Sequence, residues 1–211
     1  MIEYTKIETP YERDITGSKK LIEGKYRNEA VYYLKDSQWI CTEKIDGTNI
    51  GVLWDGHRVS YQGRTKKAQI PAHLTNKLIE LFGGDVNEEL FEQKFGDMPV
   101  VLFGEGYGVK IQNGGNYRSD VSFILFDVYL PSSDLWLKRD AIEGIAKAFN
   151  IDVVPIVMRG TIEEAVEFVK TKPKSTIGTA NMEGLVCKPE VDLLDRMGRR
   201  VMVKIKVKDF V

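Results

Sequence analysis

Glu43-Lys44-Ile45-Asp46-Gly47-Thr48-Asn49, a Lys-x-Asp-Gly-x-Asn string, stands between two strand-like apolar runs. Trp39-Ile40-Cys41 precedes it and Ile50-Gly51-Val52-Leu53-Trp54 follows it. An unpaired lysine is costly where apolar strands flank it, because desolvation disfavours the ammonium. Two readings are open: a surface hairpin with a charged turn, and a nucleophilic lysine. The rest of the chain separates them.

Downstream, Asp55-Gly56 is a turn signal between Ile50–Trp54 and a second strand, Arg58–Tyr61. Pro71 opens a helix with Leu74, Leu78, Leu81 and Phe82 on one face, and Gly83-Gly84 ends it. A further short helix runs through Val86, Leu90 and Phe91. Pro99–Phe103 is an apolar strand that leads into Gly104-Glu105-Gly106-Tyr107-Gly108, a glycine-flanked carboxylate. Ser122–Tyr129, containing Phe126-Asp127, reads as a buried strand. Arg139–Phe149 is an amphipathic helix with Ala141, Ile142, Ile145, Ala146 and Phe149 facing inward, and Asp152–Val157 is a strand. Thr161 and Glu164 make a capping box for a helix that buries Ala165, Val166 and Val169. Residues 1–38 show no long period and predict short strands and loops.

The chain closes on two strands, Glu183–Lys188 and Val201–Val207. In the last one Val203, Ile205 and Val207 alternate with Lys204, Lys206 and Lys208. Three lysines on one strand face repel one another unless an anion sits over them. A solvated edge strand guarded by lysine is the alternative.

The 211 residues suffice for one large domain or two small ones, and 43% hydrophobic with 29% charged residues is ordinary for a packed protein. No apolar run is long enough to span a bilayer, and no signal peptide is visible at the N-terminus. Two cysteines, Cys41 and Cys187, are too few for a disulfide framework, so a reduced, cytoplasmic setting is expected. The net charge of −1 does not advertise nucleic-acid binding. Basic residues cluster locally, however, at Lys19-Lys20, at Arg64 with Lys66-Lys67, at Lys170, Lys172 and Lys174, and at Arg196 with Arg199-Arg200. Without repeats or a linker, the coarse reading is a single α+β domain over residues 1–211, built on antiparallel sheet with flanking helices.

Five motifs occur in order: Lys44-Ile45-Asp46-Gly47, Phe103-Gly104-Glu105-Gly106, Phe126-Asp127, Glu183-Gly184-Leu185-Val186-Cys187-Lys188 and Val203-Lys204-Ile205-Lys206. This order resembles motifs I, III, IIIa, IV and V of the covalent nucleotidyltransferases, which comprise ATP-dependent DNA ligases, RNA ligases and mRNA capping enzymes. The chain looks most like the RNA ligases, especially the phage-type nick-sealing class. Asn49 ends motif I as in that class, and Gly104–Gly108 with Lys110-Ile111-Gln112 and Gly114-Gly115 looks like its motif III neighbourhood. The resemblance implies an antiparallel-sheet nucleotidyltransferase (ATP-grasp-like ligase adenylation) domain. The sequence ends just past motif V, so no OB-fold or other C-terminal domain is expected in this chain.

The resemblance also implies a chemistry. Lys44 attacks the α-phosphate of ATP, pyrophosphate leaves, and AMP then passes to an RNA 5′-phosphate that is sealed to a 3′-hydroxyl. A free lysine has a pKa near ~10.4, so nearby cations are needed to favour the attacking amine. Lys204 and Lys206 would hold the α-phosphate. Glu43 would help recognise adenine through backbone or side chain, and Asn49 would lie near the AMP and serve phosphodiester formation. Arg64 would contact the nucleotide and its phosphates, Glu105 the ribose hydroxyls, and Phe126 would stack on adenine. Glu183 would organise Mg²⁺, with Mn²⁺ as a substitute, through waters. Asp46 and Asp127 read as structural, as carboxylates that satisfy turn N–H groups. Alternation places Lys188 and Glu183 on opposite faces, so both reach one site only if the strand bends. His57 and His73 receive no role. The competing readings are the adenylation domain of a DNA ligase and a non-catalytic nucleotide- or RNA-end-binding module.

Overall fold

The computed structural model describes residues 1–65 and 67–211. Lys66, counted above in a basic cluster, lies outside the described residues. In chain order the elements are β1 (Tyr11–Arg13), β2 (Leu21–Tyr26), α1 (Glu29–Tyr33), β3 (Trp39–Glu43), β4 (Thr48–Trp54) and β5 (Val59–Gly63). Next come α2 (Ala72–Phe82), α3 (Asp85–Phe95), β6 (Val100–Gly108), β7 (Val121–Leu130), β8 (Leu135–Trp136), α4 (Arg139–Ala148) and β9 (Asp152–Val153). The last four are β10 (Ile156–Gly160), α5 (Ile162–Lys170), β11 (Gly184–Pro189) and β12 (Val203–Lys206). These elements divide into two compact units, one of residues 1–4 and 46–154, the other of residues 5–45 and 155–211. The strands before and after the Lys-x-Asp-Gly-x-Asn string therefore belong to different units.

In the first unit β5, β4, β6, β7 and β8 form an antiparallel sheet in that order, and β9 adds parallel to β7. Period-2 alternation sends Ile50, Val52 and Trp54 of β4, Leu102 of β6 and Phe123 and Leu125 of β7 to one face. The helices α2, α3 and α4 bury Leu74, Leu78, Phe82, Phe91, Ile142, Ile145 and Ala146 in the same core. Phe91 centres it, stacked on Trp54 at 5.6 Å and tilted against Phe149 at 4.4 Å. Such aromatic pairs contribute about 0.5–1.5 kcal/mol each beyond their buried area. Two sequence expectations fail here. Ala141 is exposed, because it lies on the solvent side of the α4 turn that buries Ile142. Asp152–Val157 is not one strand, because Val154-Pro155 interrupts it: β9 pairs with β7, while β10 joins the other unit. Pro155, without an N–H, cannot continue a ladder.

The second unit holds a four-stranded antiparallel sheet, β10-β3-β11-β12, and the small pair β1-β2. Trp39 and Cys41 of β3, Leu185 and Cys187 of β11, and Val203 and Ile205 of β12 are buried with Ile162, Ala165, Val166 and Val169 of α5. The expected capping box starts α5: Thr161 Oγ1 accepts from Glu164 N–H at 3.2 Å, and Glu164 Oε2 accepts from Thr161 N–H at 2.8 Å. Cys41 and Cys187 are cross-strand partners, both free and buried, and burial pushes the Cys187 thiol up, which makes it inert. The sequence reading of residues 1–38 missed α1, five residues long and capped by Asn28, whose Oδ1 accepts from Ala30 N–H at 2.8 Å. The last strand is also shorter than expected. Val207–Asp209 is a 3₁₀ turn, so the alternating row stops at Lys206 and Lys208 lies exposed outside it. Among the described residues no helix is long and apolar enough to cross a membrane.

Candidate active site

Lys44 leaves the end of β3, its backbone N–H donating to the carbonyl of Gly184 at 2.9 Å. Its Nζ lies 2.7 Å from Glu183 Oε2, and Lys206 Nζ lies 2.7 Å from Glu183 Oε1. One carboxylate thus bridges two ammoniums. All three side chains are mostly buried, with 17% exposure for Glu183 and 23% and 21% for the lysines. Burial pushes the Glu183 carboxyl up, but the Lys44 and Lys206 charges beside it outweigh that and hold it below the usual 4.5.

The residue after Glu183 is Gly184, which begins β11 with φ +156°. Gly184 pairs with Lys206 across the β11–β12 ladder, and a Cβ there would meet the carbonyl oxygen of Ile205. Only glycine allows that close approach. Glu183, just before β11, meets Lys206 from there. Further along, Val186 pairs with Lys204, and both are half-buried on the sheet face opposite Leu185, Cys187 and Ile205. Lys188 lies on that same open face by alternation.

Glu43 is 1% exposed, and its carboxylate is fully engaged within the protein. Oε1 accepts from Ser175 Oγ at 2.5 Å; Oε2 accepts from Thr176 N–H at 2.9 Å and Thr176 Oγ1 at 2.6 Å. Its backbone N–H donates to the Pro155 carbonyl at 3.0 Å. Neither Ser175 nor Thr176 carried a sequence signal for this role.

The first unit assembles a second group. Asn49 and Glu105 are directly opposed on β4 and β6, both half-buried on the face away from the helices. Gly47 packs on the end of β6 so tightly that a Cβ would strike the Gly106 carbonyl and the Glu105 side chain. The partners of Asp46 are side chains and not the turn N–H groups expected of its carboxylate. Its carboxylate accepts from Asn113 Nδ2 at 2.8 Å and its N–H donates to Tyr117 Oη at 3.2 Å.

Phe126 occupies a β-bulge: Phe103 pairs with Asp127 and Gly104 with Leu125, leaving Phe126 unopposed. Bulges re-aim side chains, and this one puts Phe126 and Asp127 within reach of one residue. Tyr4 meets the Phe126 ring edge-on at 5.0 Å and donates its hydroxyl to Asp127 Oδ2 at 2.7 Å. Arg64 is exposed, one residue past β5. Of the other basic clusters, Lys170 is neutralised by Glu23 and Glu167 at 2.7 and 2.8 Å, a solvated face.

One carboxylate, with no group of three or more His, Cys, Asp or Glu placed for a metal among the described residues, sets the metal chemistry available. It suits Mg²⁺, which is held through one or two carboxylates with waters and substrate phosphates.

Antiparallel sheets with flanking helices, and a lysine–carboxylate–lysine cluster on the open face of one of them, define a nucleotidyltransferase-type α+β fold. The chain belongs to the RNA ligase family, which it matches over residues 37–206. No curated relative matches the sequence. Among solved structures it is similar to a Naegleria gruberi RNA ligase variant with ATP and Mn, at 17% identity and TM-score 0.65 over 97% of this chain and 63% of that one. It is similar also to a variant with AMP and Mn, at 18% identity and TM-score 0.65 over 95% and 60% of the two chains. The same ligase with PPi matches at 18% identity and TM-score 0.63 over 96% and 61%. At these identities the likeness concerns the fold. The chain spans about three-fifths of the length of these ligases.

Proposed function

We propose that residues 1–211 act as one nucleotidyltransferase (adenylation) domain of a cytoplasmic, ATP-dependent RNA ligase of the nick-sealing kind. The observation that carries this reading is the Lys44–Glu183–Lys206 cluster, with 2.7 Å on either side of one carboxylate. In the first step the Lys44 amine attacks the α-phosphorus of ATP: a P–N bond forms, the α–β phosphoanhydride bond breaks, pyrophosphate leaves and the ammonium proton is lost. An RNA 5′-phosphate then takes the AMP and frees Lys44. An RNA 3′-hydroxyl displaces AMP and forms the phosphodiester.

Lys206, fixed on a strand, and Lys204, two residues before it on the same face, supply preorganised positive charge for the phosphate in transit. Glu183 is the residue that would hold Mg²⁺, or Mn²⁺ in its place, which supplies charge neutralisation for the phosphates when bound. Glu105 accepts from the ribose hydroxyls, Phe126 offers its ring to adenine, Arg64 contacts nucleotide phosphates, and Asn49 serves the sealing step. The carboxylate assigned to the metal in this scheme is Glu183 alone; the Glu43 carboxylate is spent on Ser175 and Thr176, so its part at adenine falls to its backbone.

The test is intact-protein mass after incubation with Mg²⁺ and either ATP or GTP. An AMP adduct from ATP alone supports the reading, and an adduct only from GTP points to capping-type chemistry. Asn49→Ala should form the adduct normally yet seal pre-adenylylated nicked RNA at least tenfold more slowly, on the order of one lost oriented contact. Normal sealing by that variant would remove Asn49 from the scheme.

A further inference from the structure

Resting on that function, we propose that Glu43 is a positioning residue, whose buried carboxylate sets the spacing of Lys44 and Glu183 by clamping the segment between α5 and β11. The segment 173–182 is a small hairpin. Ser175 N–H donates to Ala180 O at 3.0 Å, Met182 N–H donates to Pro173 O at 2.8 Å, and Lys174 bridges Asn181. Its turn is tied by Ser175 Oγ, which accepts from Ile177 and Gly178 N–H at 3.2 and 3.0 Å while donating to Glu43. The hairpin ends at Met182, which is 2% exposed, and the next residue is Glu183.

One carboxylate therefore grips both strands of the active pair. It belongs to the residue immediately before Lys44, and through Ser175 and Thr176 it holds the hairpin whose next residue is Glu183. The clamp is bonded from both oxygens, from two hydroxyls and one backbone N–H. A buried carboxylate with that many donors is rigid, and its loss leaves the buried Ser175 hydroxyl without an acceptor. The backbone ties alongside, the pairing of Glu43 with Leu185, Lys44 N–H to Gly184 O and Glu43 N–H to Pro155 O, do not reach the hairpin. Positioning matters here because a displacement of about 1 Å at the nucleophile costs up to about 10²-fold in rate.

The test uses the full chain and four variants: Glu43→Gln, Thr176→Val, the two combined, and Thr176→Ser. Melting temperature, amide exchange at residues 174–182, the single-turnover rate of Lys44–AMP formation and its dependence on ATP concentration are measured for each. Glu43→Gln and Thr176→Val should slow the saturated rate about 10- to 10²-fold, with the half-saturating ATP concentration within about twofold and faster exchange in the hairpin. Thr176→Ser, which keeps the hydroxyl, should recover most of the rate, and the Glu43→Gln/Thr176→Val pair should be no slower than the worse single variant. The proposal fails if Glu43→Gln instead raises the ATP requirement and admits GTP while Thr176→Val behaves as the unaltered chain, because Glu43 then reads adenine directly. It fails equally if folded variants keep the full saturated rate. Absence of any adduct on the unaltered chain is a different failure, that of the ligase reading, and the exchange data still report whether the clamp exists.

Discussion

Lys44→Ala should form no covalent adduct with AMP, while the unaltered chain gains the mass of one AMP in ATP and Mg²⁺. The expectation follows from the site's inventory: Lys44 is the lysine that sits at a strand end against Glu183, on the open sheet face that Lys206 shares. Alanine removes the nitrogen that must bond to phosphorus, so the loss is complete and not graded. It also leaves the Glu183–Lys206 pair in place, so the protein should stay folded, and the melting temperature of the variant checks this. Lys44→Arg is a second check. Arginine keeps a positive charge beside Glu183 but cannot shed its proton to attack, so it should hold stability near that of the unaltered protein and still form no adduct. Label persisting on either variant would sink the assignment of the nucleophile.

Lys206→Ala should slow adduct formation by about 10²–10³-fold, the range found when one preorganised charge or donor is removed from a transition state. Lys208→Ala is the matched control. It removes the same charge two residues on, from an exposed 3₁₀ turn outside the strand row, and should change the rate by less than about twofold, the scale of a screened surface charge. Equal effects from the two would mean that general positive potential, and not the strand position, matters.

The same carboxylate gives a pH signature. Glu183 titrates below its usual 4.5 in the folded chain, so its pairing contributes fully above that value and is lost as pH falls through the depressed one. Glu183→Gln should therefore melt lower than the unaltered protein at pH 7, with the gap closing as the pH drops below 4.5. A gap that widens in acid would contradict the ion pairing.

How much of this was legible beforehand depends on the distance over which the signal acts. Strands such as β4, and helices with clean caps such as α5, are encoded within a few residues and read correctly, while the alternation of β12 was read correctly but carried past its end at Lys206. Motif order put Lys44, Glu183 and Lys206 together on resemblance, and the structure brings those three into contact. Alternation alone set Glu183 and Lys188 on opposite faces, because pattern reading carries a regular pleat through Gly184 and knows nothing of the Ile205 carbonyl that makes glycine necessary there. The Glu43 clamp was out of reach for a different reason. Its partners lie 132 and 133 residues away in a polar turn that looks like any other. The bulge at Phe126 was likewise invisible, because it exists only in the register between β6 and β7.

The split of β3 and β4 between units bears on the order in which the chain can acquire structure. Residues 46–154 are contiguous and contain every strand of the first sheet, so that unit can form as soon as it is complete. The second sheet has to wait: β3 pairs with β10 and β11, as in Thr42 with Ile156 and Cys41 with Cys187. Closing so long a loop is entropically expensive and slow unless the intervening chain is already compact. Pulse-labelled amide exchange during refolding should thus protect β4, β6 and β7 before β3 and β11. Simultaneous protection of both sets would mean that the nested unit gives no head start. Lys44, the proposed nucleophile at the end of the strand that pairs late, would then be assembled among the last parts of the molecule, and truncated chains lacking the final strands would carry it without Glu183 and Lys206 beside it.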